Sequence, residues 1–146
     1  MRVRVLSLAL AAMCCTSMVN AQDGAQDGPP SQQTSAPSDQ AKIAAVQRHV
    51  DAYRSGSLDR FVATFTPDAE VYANGMVAVG HAQIRALYAA NFAPGAPSIT
   101  IENSGLSNGQ VFLSVGYVFD NGEQMCCSYT EYEVVGGKIS YLESSS

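Results

Sequence analysis

Basic residues are scarce in this sequence and nowhere clustered. Eight Lys+Arg stand against thirteen Asp+Glu over 146 residues. Beyond Arg2 and Arg4, the basic side chains Lys42, Arg48, Arg54, Arg60, Arg85 and Lys138 are scattered. That excludes the basic stripe needed to hold nucleic acid or an anionic membrane surface. Cysteine is sparse too. Cys14 and Cys15 lie near the start, and Cys126 and Cys127 are adjacent in the last third. No His or Asp stands at metal-ligand spacing around that pair, so no metal and no other cofactor is expected. Neighbours on a strand point to opposite faces. Cys126 and Cys127 are therefore expected not to bridge each other but to sit as two small hydrophobes in a sheet. A disulfide between chains through the outward thiol is the alternative. Long apolar runs are missing as well. The longest, Val5 to Met13, is too short to anchor stably across a bilayer.

That short run has a function of its own. Arg2 and Arg4 precede it, and Val19 and Ala21 follow it at the −3 and −1 places a signal peptidase reads. Residues 1–21 are thus expected to be a signal peptide, which makes the protein periplasmic or secreted and leaves no membrane insertion after cleavage. A lipid anchor on Cys14 is disfavoured by the bulky Met13 before it. Residues 22–40 repeat "AQDG" and are rich in Pro, Ser and Gln. Such a stretch buries too little apolar surface to offset its ordering entropy and reads as a disordered linker. The folded domain is expected over 41–146, enough for one core. Without the signal peptide, six basic against thirteen acidic side chains leave −7.

Periodicity then places the elements. Ile43, Val46, Val50 and Tyr53 form a helical stripe that predicts a helix from Gln40 to Ser55. Gly56 suits its C′ position and Ser57 the N-cap of a second helix, Leu58 to Phe65, which Pro67 is expected to end. Asn74-Gly75 between two short apolar runs predicts a type I′ hairpin. A third helix follows from His81 to Phe92, with Asn74 read as a turn residue and His81 as a solvated helix start. The rest is strand: Ser98–Asn103, Gln110–Asp120, Glu123–Val134 and Lys138–Leu142, separated by Asn108-Gly109, Asn121-Gly122 and Gly136-Gly137. If Asn121-Gly122 is a two-residue turn, Phe119 faces Gln124 and Tyr117 faces Cys126. Val115 then faces Ser128, Leu113 faces Thr130, and Val111 faces Tyr132. The class is α+β: a cone-shaped, curved, mainly antiparallel sheet covered by three N-terminal helices.

Gly56-Ser57-Leu58, "FTPDAEVY", "GHAQIRALY" and "GGKI", in this order over Ala41 to Leu142, resemble the nuclear-transport-factor-2-like superfamily. Within it, the likeness is to SnoaL-like and ketosteroid-isomerase-like domains. The resemblance implies a pocket at the open end of the cone and often a homodimer. It does not imply one reaction, because such folds host many. Ketosteroid isomerases use an aspartate base with a Tyr and a protonated Asp as oxyanion donors. The matching positions here are Ala73, His49 and about Thr130, so that mechanism is not expected.

His49 stands on the buried stripe and is the candidate catalytic group, as acid or base. Tyr117, Cys126, Ser128, Thr130 and Tyr132 are the candidate ligand-binding residues, by the register above. Three functions follow from the sequence. The first is an exported protein that binds a small apolar ligand without chemistry. The second is an isomerase, cyclase or dehydratase built on His49. The third is a non-catalytic dimeric interaction domain, with Phe112, Val118, Met125 and Tyr129 on the convex face for a second copy.

Overall fold

The computed structural model describes residues 36–146. The expected signal peptide and the expected linker up to residue 35 lie outside the described residues. Helix α1 (Asp39–Arg54) begins where Ser38 accepts a hydrogen bond from the Ala41 N–H, with Asp39 in the first turn and Arg54 in the last. It buries Ala45, Val46, His49, Val50 and Ala52, while Ile43 and Tyr53 flank the same stripe against the core. Gly56, at φ +68°, ends it, and Ser57 caps α2 (Leu58–Val62).

Helix α2 stops three residues before the expected Phe65. Phe65 instead opens β1 (Phe65–Ala73), so Pro67 sits inside a strand rather than ending a helix. The strand tolerates it because pairing between β1 and its neighbour β6 is interrupted between Phe65 and Glu70. A proline, lacking an N–H, fits where the ladder is broken. Asn74 and Gly75, at φ 54° and 74°, turn the chain into β2 (Met76–Val79). Helix α3 (Gly80–Tyr88) follows, ending in a 3-10 turn at Ala89–Phe92 in place of the expected last helical turn. The strands β3 (Ser98–Ser107), β4 (Gln110–Val118), β5 (Gln124–Val135) and β6 (Lys138–Ser145) complete the fold.

All six strands form one curved, unclosed sheet in the order β2-β1-β6-β5-β4-β3. Only the β1–β6 pair among them is parallel. The helices pack on the concave face. There Val111, Leu113 and Val115 of β4 alternate inward beside Ser128, Thr130, Tyr132 and Val134 of β5. Phe61, Phe65, Ile84, Ile139 and Leu142 are fully enclosed between the helices and the sheet.

The β4–β5 register holds in its deep part and shifts near the tip. Val111 pairs with Tyr132, Leu113 with Thr130 and Val115 with Ser128, but Tyr117 pairs with Met125 and Val118 with Gln124. Two departures cause the shift. First, the loop has three residues, because the Phe119 N–H donates to Glu123 O and the Gly122 N–H to Phe119 O. Gly122 has positive φ there and Asn121 does not. Second, Cys126 and Cys127 together oppose Gly116, a β-bulge. Cys126 therefore does not face Tyr117. The bulge also breaks the alternation that kept the two thiols apart, and Cys126 and Cys127 are joined by a disulfide with Cα atoms 3.1 Å apart.

Candidate functional site

The open end of the cone holds a cavity of about 70 Å³. Helix α1 contributes His49, Val50 and Tyr53, and α2 contributes Phe61. Tyr88 and Asn91 close it from the α3 side. The sheet supplies the remaining wall, including Tyr117, Thr130 and Tyr132. None of the lining residues is Asp, Glu, Lys or Arg. Glu70, the nearest acid in the β1 sequence, points outward and accepts a hydrogen bond from Tyr72 at 3.1 Å.

His49 is 4% exposed. Its ring is 4.6 Å from that of Phe61, 5.0 Å from Phe65 and 5.5 Å from Tyr132, centre to centre. Inside this aromatic box a charge is strongly disfavoured, and burial pushes the imidazole pKa down to about 3. One ring nitrogen is occupied: Nδ1 lies 2.7 Å from Thr64 Oγ1. Thr64 was hidden because it was read as the interior of α2, whereas it occupies the turn between α2 and β1.

The other candidates divide. Thr130 and Tyr132 are buried in the cavity wall, and Thr130 donates to Ser144 Oγ at 3.1 Å. Ser128 is buried one pair nearer the mouth and shares a 2.8 Å hydrogen bond with Tyr117. Cys126 is exposed in the bulge and borders a separate shallow depression with Thr100, Glu102 and Met125. Tyr53, Tyr88 and Asn91 enter the lining without having been singled out as site residues. Asn91 donates to the Tyr53 hydroxyl at 3.3 Å. Burial raises the phenol pKa of Tyr53, Tyr88 and Tyr132, so these hydroxyls keep their protons at neutral pH.

Two residues of the hairpin and helix start behave differently from each other. Asn74 sits in the turn with positive φ. His81 is not a freely solvated helix start: its Nε2 lies 3.1 Å from the Phe65 carbonyl and so donates to it. That bond ties α3 to the beginning of β1. A second void, a groove of about 450 Å³, runs between α1 and the β3–β4 pair. It shares Val50, Ile101 and Leu113 with the cavity. Among the described residues no helix is long and apolar enough to cross a membrane.

An uncharged pocket at the open end of a curved sheet is the arrangement of the nuclear-transport-factor-2-like superfamily. Residues 46–142 match the model of the SnoaL-like domain, and the chain belongs to that family. No curated protein matches the chain. Many solved structures share its fold, three of which are the following. One is a candidate polyketide cyclase from Sinorhizobium meliloti, 20% identical, with a TM-score of 0.61 over 69% of this chain and 93% of that one. Another is SalBIII, an epoxide hydrolase/cyclase-like enzyme of pyran ring formation in salinomycin. It is 17% identical, with a TM-score of 0.62 over 72% and 89%. The third is a computationally designed 17-OHP binder, 13% identical, with a TM-score of 0.61 over 73% and 90%.

Proposed function

We propose that this chain is an exported protein that binds a small, neutral, largely apolar molecule in its cone. One observation carries the reading: the cavity wall has no charged side chain, and burial holds its histidine and three of its tyrosines neutral. An ionic ligand would lose its hydration there without gaining a counter-charge. A neutral one finds aromatic walls with hydroxyls at Tyr117, Thr130 and Tyr132. The cavity is small, so it holds one end of the ligand while the remainder extends through the mouth. A thermal-shift screen with neutral apolar compounds tests this, since a ligand that binds the native state alone raises the midpoint. A broad library that leaves the midpoint unmoved removes the reading. Export is checked by sequencing the N-terminus of the mature protein, expected at Gln22.

A second reading is an enzyme of the isomerase, cyclase or dehydratase kind, with His49 as its acid–base group. Its support is that His49 lines the cavity with one nitrogen uncommitted to Thr64. Its weakness is the pKa near 3, which leaves a negligible protonated fraction at neutral pH and makes the free ring a weak base. Turnover of a substrate found by the screen, abolished in His49→Ala, would establish it. As a dimeric interaction domain the chain would use the convex face. Phe112 and Tyr129 stack there at 5.5 Å and Met125 is exposed. Sedimentation of Tyr129→Glu against the parent chain tests that use.

A further inference from the structure

We infer that Thr64 is a positioning residue that fixes His49 as the Nδ1–H tautomer, so that the cavity presents a hydrogen-bond acceptor and selects ligands whose buried end is a donor. The inference deepens the reading of the cone as a ligand site and rests on it. Thr64 Oγ1 has one hydrogen, and it is committed: the hydroxyl donates to the Phe61 carbonyl at 2.6 Å. Toward His49, 2.7 Å away, the same oxygen can therefore only accept. The proton between them belongs to Nδ1. A neutral imidazole carries one N–H, so Nε2 is left with its lone pair.

Thr64 is itself held in place by three hydrogen bonds to two partners. Its N–H donates to Phe61 O at 3.1 Å, its hydroxyl to the same oxygen, and its carbonyl accepts from the Ile139 N–H of β6 at 2.9 Å. The oxygen that reads the histidine proton is thus anchored to both α2 and the sheet. His49 lines the cavity and Thr64 does not, so the Nδ1 edge of the ring turns away from the void and the Nε2 edge remains for it. Among the described residues none donates to Nε2. An acceptor at the cavity surface that no protein donor serves disfavours a ligand oxygen that can only accept, and favours a hydroxyl or an amide N–H.

Long-range ¹H–¹⁵N NMR on the histidine-labelled full chain, without ligand, tests the first half. The expected spectrum shows His49 protonated at Nδ1. Thr64→Val should lose that single tautomer, and Thr64→Ser should restore it. A parent spectrum with the proton on Nε2, or a Thr64→Val spectrum unchanged from the parent, overturns the inference. Should Thr64→Val not fold, the parent and Thr64→Ser spectra still decide. Phenol and anisole, titrated under the same conditions, test the second half. Phenol should perturb His49 Nε2 and bind roughly three- to tenfold more tightly than anisole, as one net hydrogen bond allows. Equal binding overturns the donor selectivity while leaving the cavity a ligand site. Failure of both probes, together with a blank compound screen, overturns the ligand reading and the selectivity built on it, even if the tautomer is as stated.

Discussion

At the scale of single residues, His49 carries the sharpest consequence. Its folded-state pKa is about 3 against an ordinary 6.5, lowered by burial. Between those values the unfolded chain takes up a proton that the folded chain refuses, so stability rises with pH across that window. The contribution is fully present above pH 6.5 and is lost as pH falls toward 3. The slope from one such group is about 1.4 kcal/mol per pH unit, a large part of a small domain's margin of about 5–15 kcal/mol. Urea denaturation at pH 7 and pH 4.5 should show a loss of roughly 2–3 kcal/mol for the parent chain from this group. His49→Gln should lose less over the same interval, because the carboxylates contribute alike to both chains. Identical pH slopes would mean that His49 is not desolvated in solution. His49 was legible in the sequence because one helical stripe carries it inward. Thr64 was not, because its place depends on α2 stopping at Val62, and nothing within "LDRFVATF" marks that stop. The stop is set by pairing from far along the chain, through Ile139.

At the scale of elements, the same dipeptide behaves in two ways. Asn74-Gly75 and Asn108-Gly109 both have positive φ at both positions and close two-residue loops, Ala73 to Met76 and Ser107 to Gln110. Asn121-Gly122 instead ends a three-residue loop. The loop moves the register by one residue and the bulge at Cys126 and Cys127 moves it back. This is why the inward set Val111, Leu113, Thr130 and Tyr132 could be read from the sequence although the turn was misread. Only the pairs between the two irregularities, around Tyr117 and Cys126, came out wrong. The cancellation gives a test. Deleting Cys127 removes the extra residue, so Cys126 alone should oppose Gly116 and the bulge should close. The three-residue loop stays, with Phe119 opposite Glu123 and Val115–Ser128 and deeper pairs unchanged. Stability should change by no more than about 1 kcal/mol, since the disulfide that is lost joins only adjacent residues and the ladder becomes regular. Cross-strand NOEs check the register; a shift below Val115 would contradict it. Gly80, which opens α3 at φ +76°, is less forgiving. A Cβ there would lie 3.2 Å from the Pro67 carbonyl. Gly80→Ala should cost about 1–3 kcal/mol from the left-handed backbone and that contact together.

At the scale of the whole molecule, the decisive fact is where the empty space lies. The cavity with the chemistry-bearing side chains is about 70 Å³, whereas the groove on the other side of Val50, Ile101 and Leu113 is about 450 Å³. Ligand sites usually span about 300–1,000 Å³, so the cavity alone is too small for a whole ligand, whereas the groove reaches that size but carries neither His49 nor the cavity's tyrosines. The sequence showed the inward faces of helix and sheet, from which a pocket follows. It did not show how much of that pocket the aromatic rings of Phe61, Tyr88 and Tyr132 would fill, because packing volume is set by rotamers and not by alternation. Of the three shared residues, Val50 belongs to α1 and the other two to the sheet, so trimming Val50 opens the wall from the helix side without disturbing a strand pair. Val50→Ala removes two buried methyl groups and should cost about 1–3 kcal/mol in water. If the two voids then join, a neutral ligand too large for the parent cavity should raise the midpoint of the variant more than that of the parent. Leu113→Ala should do the same at a larger cost of about 2–5 kcal/mol. Equal ligand-induced shifts in parent and variants would mean that the wall is not what limits ligand size. The mouth between Tyr53, Tyr88 and Tyr117 would then be the constriction, and Tyr88→Ala the substitution that relieves it.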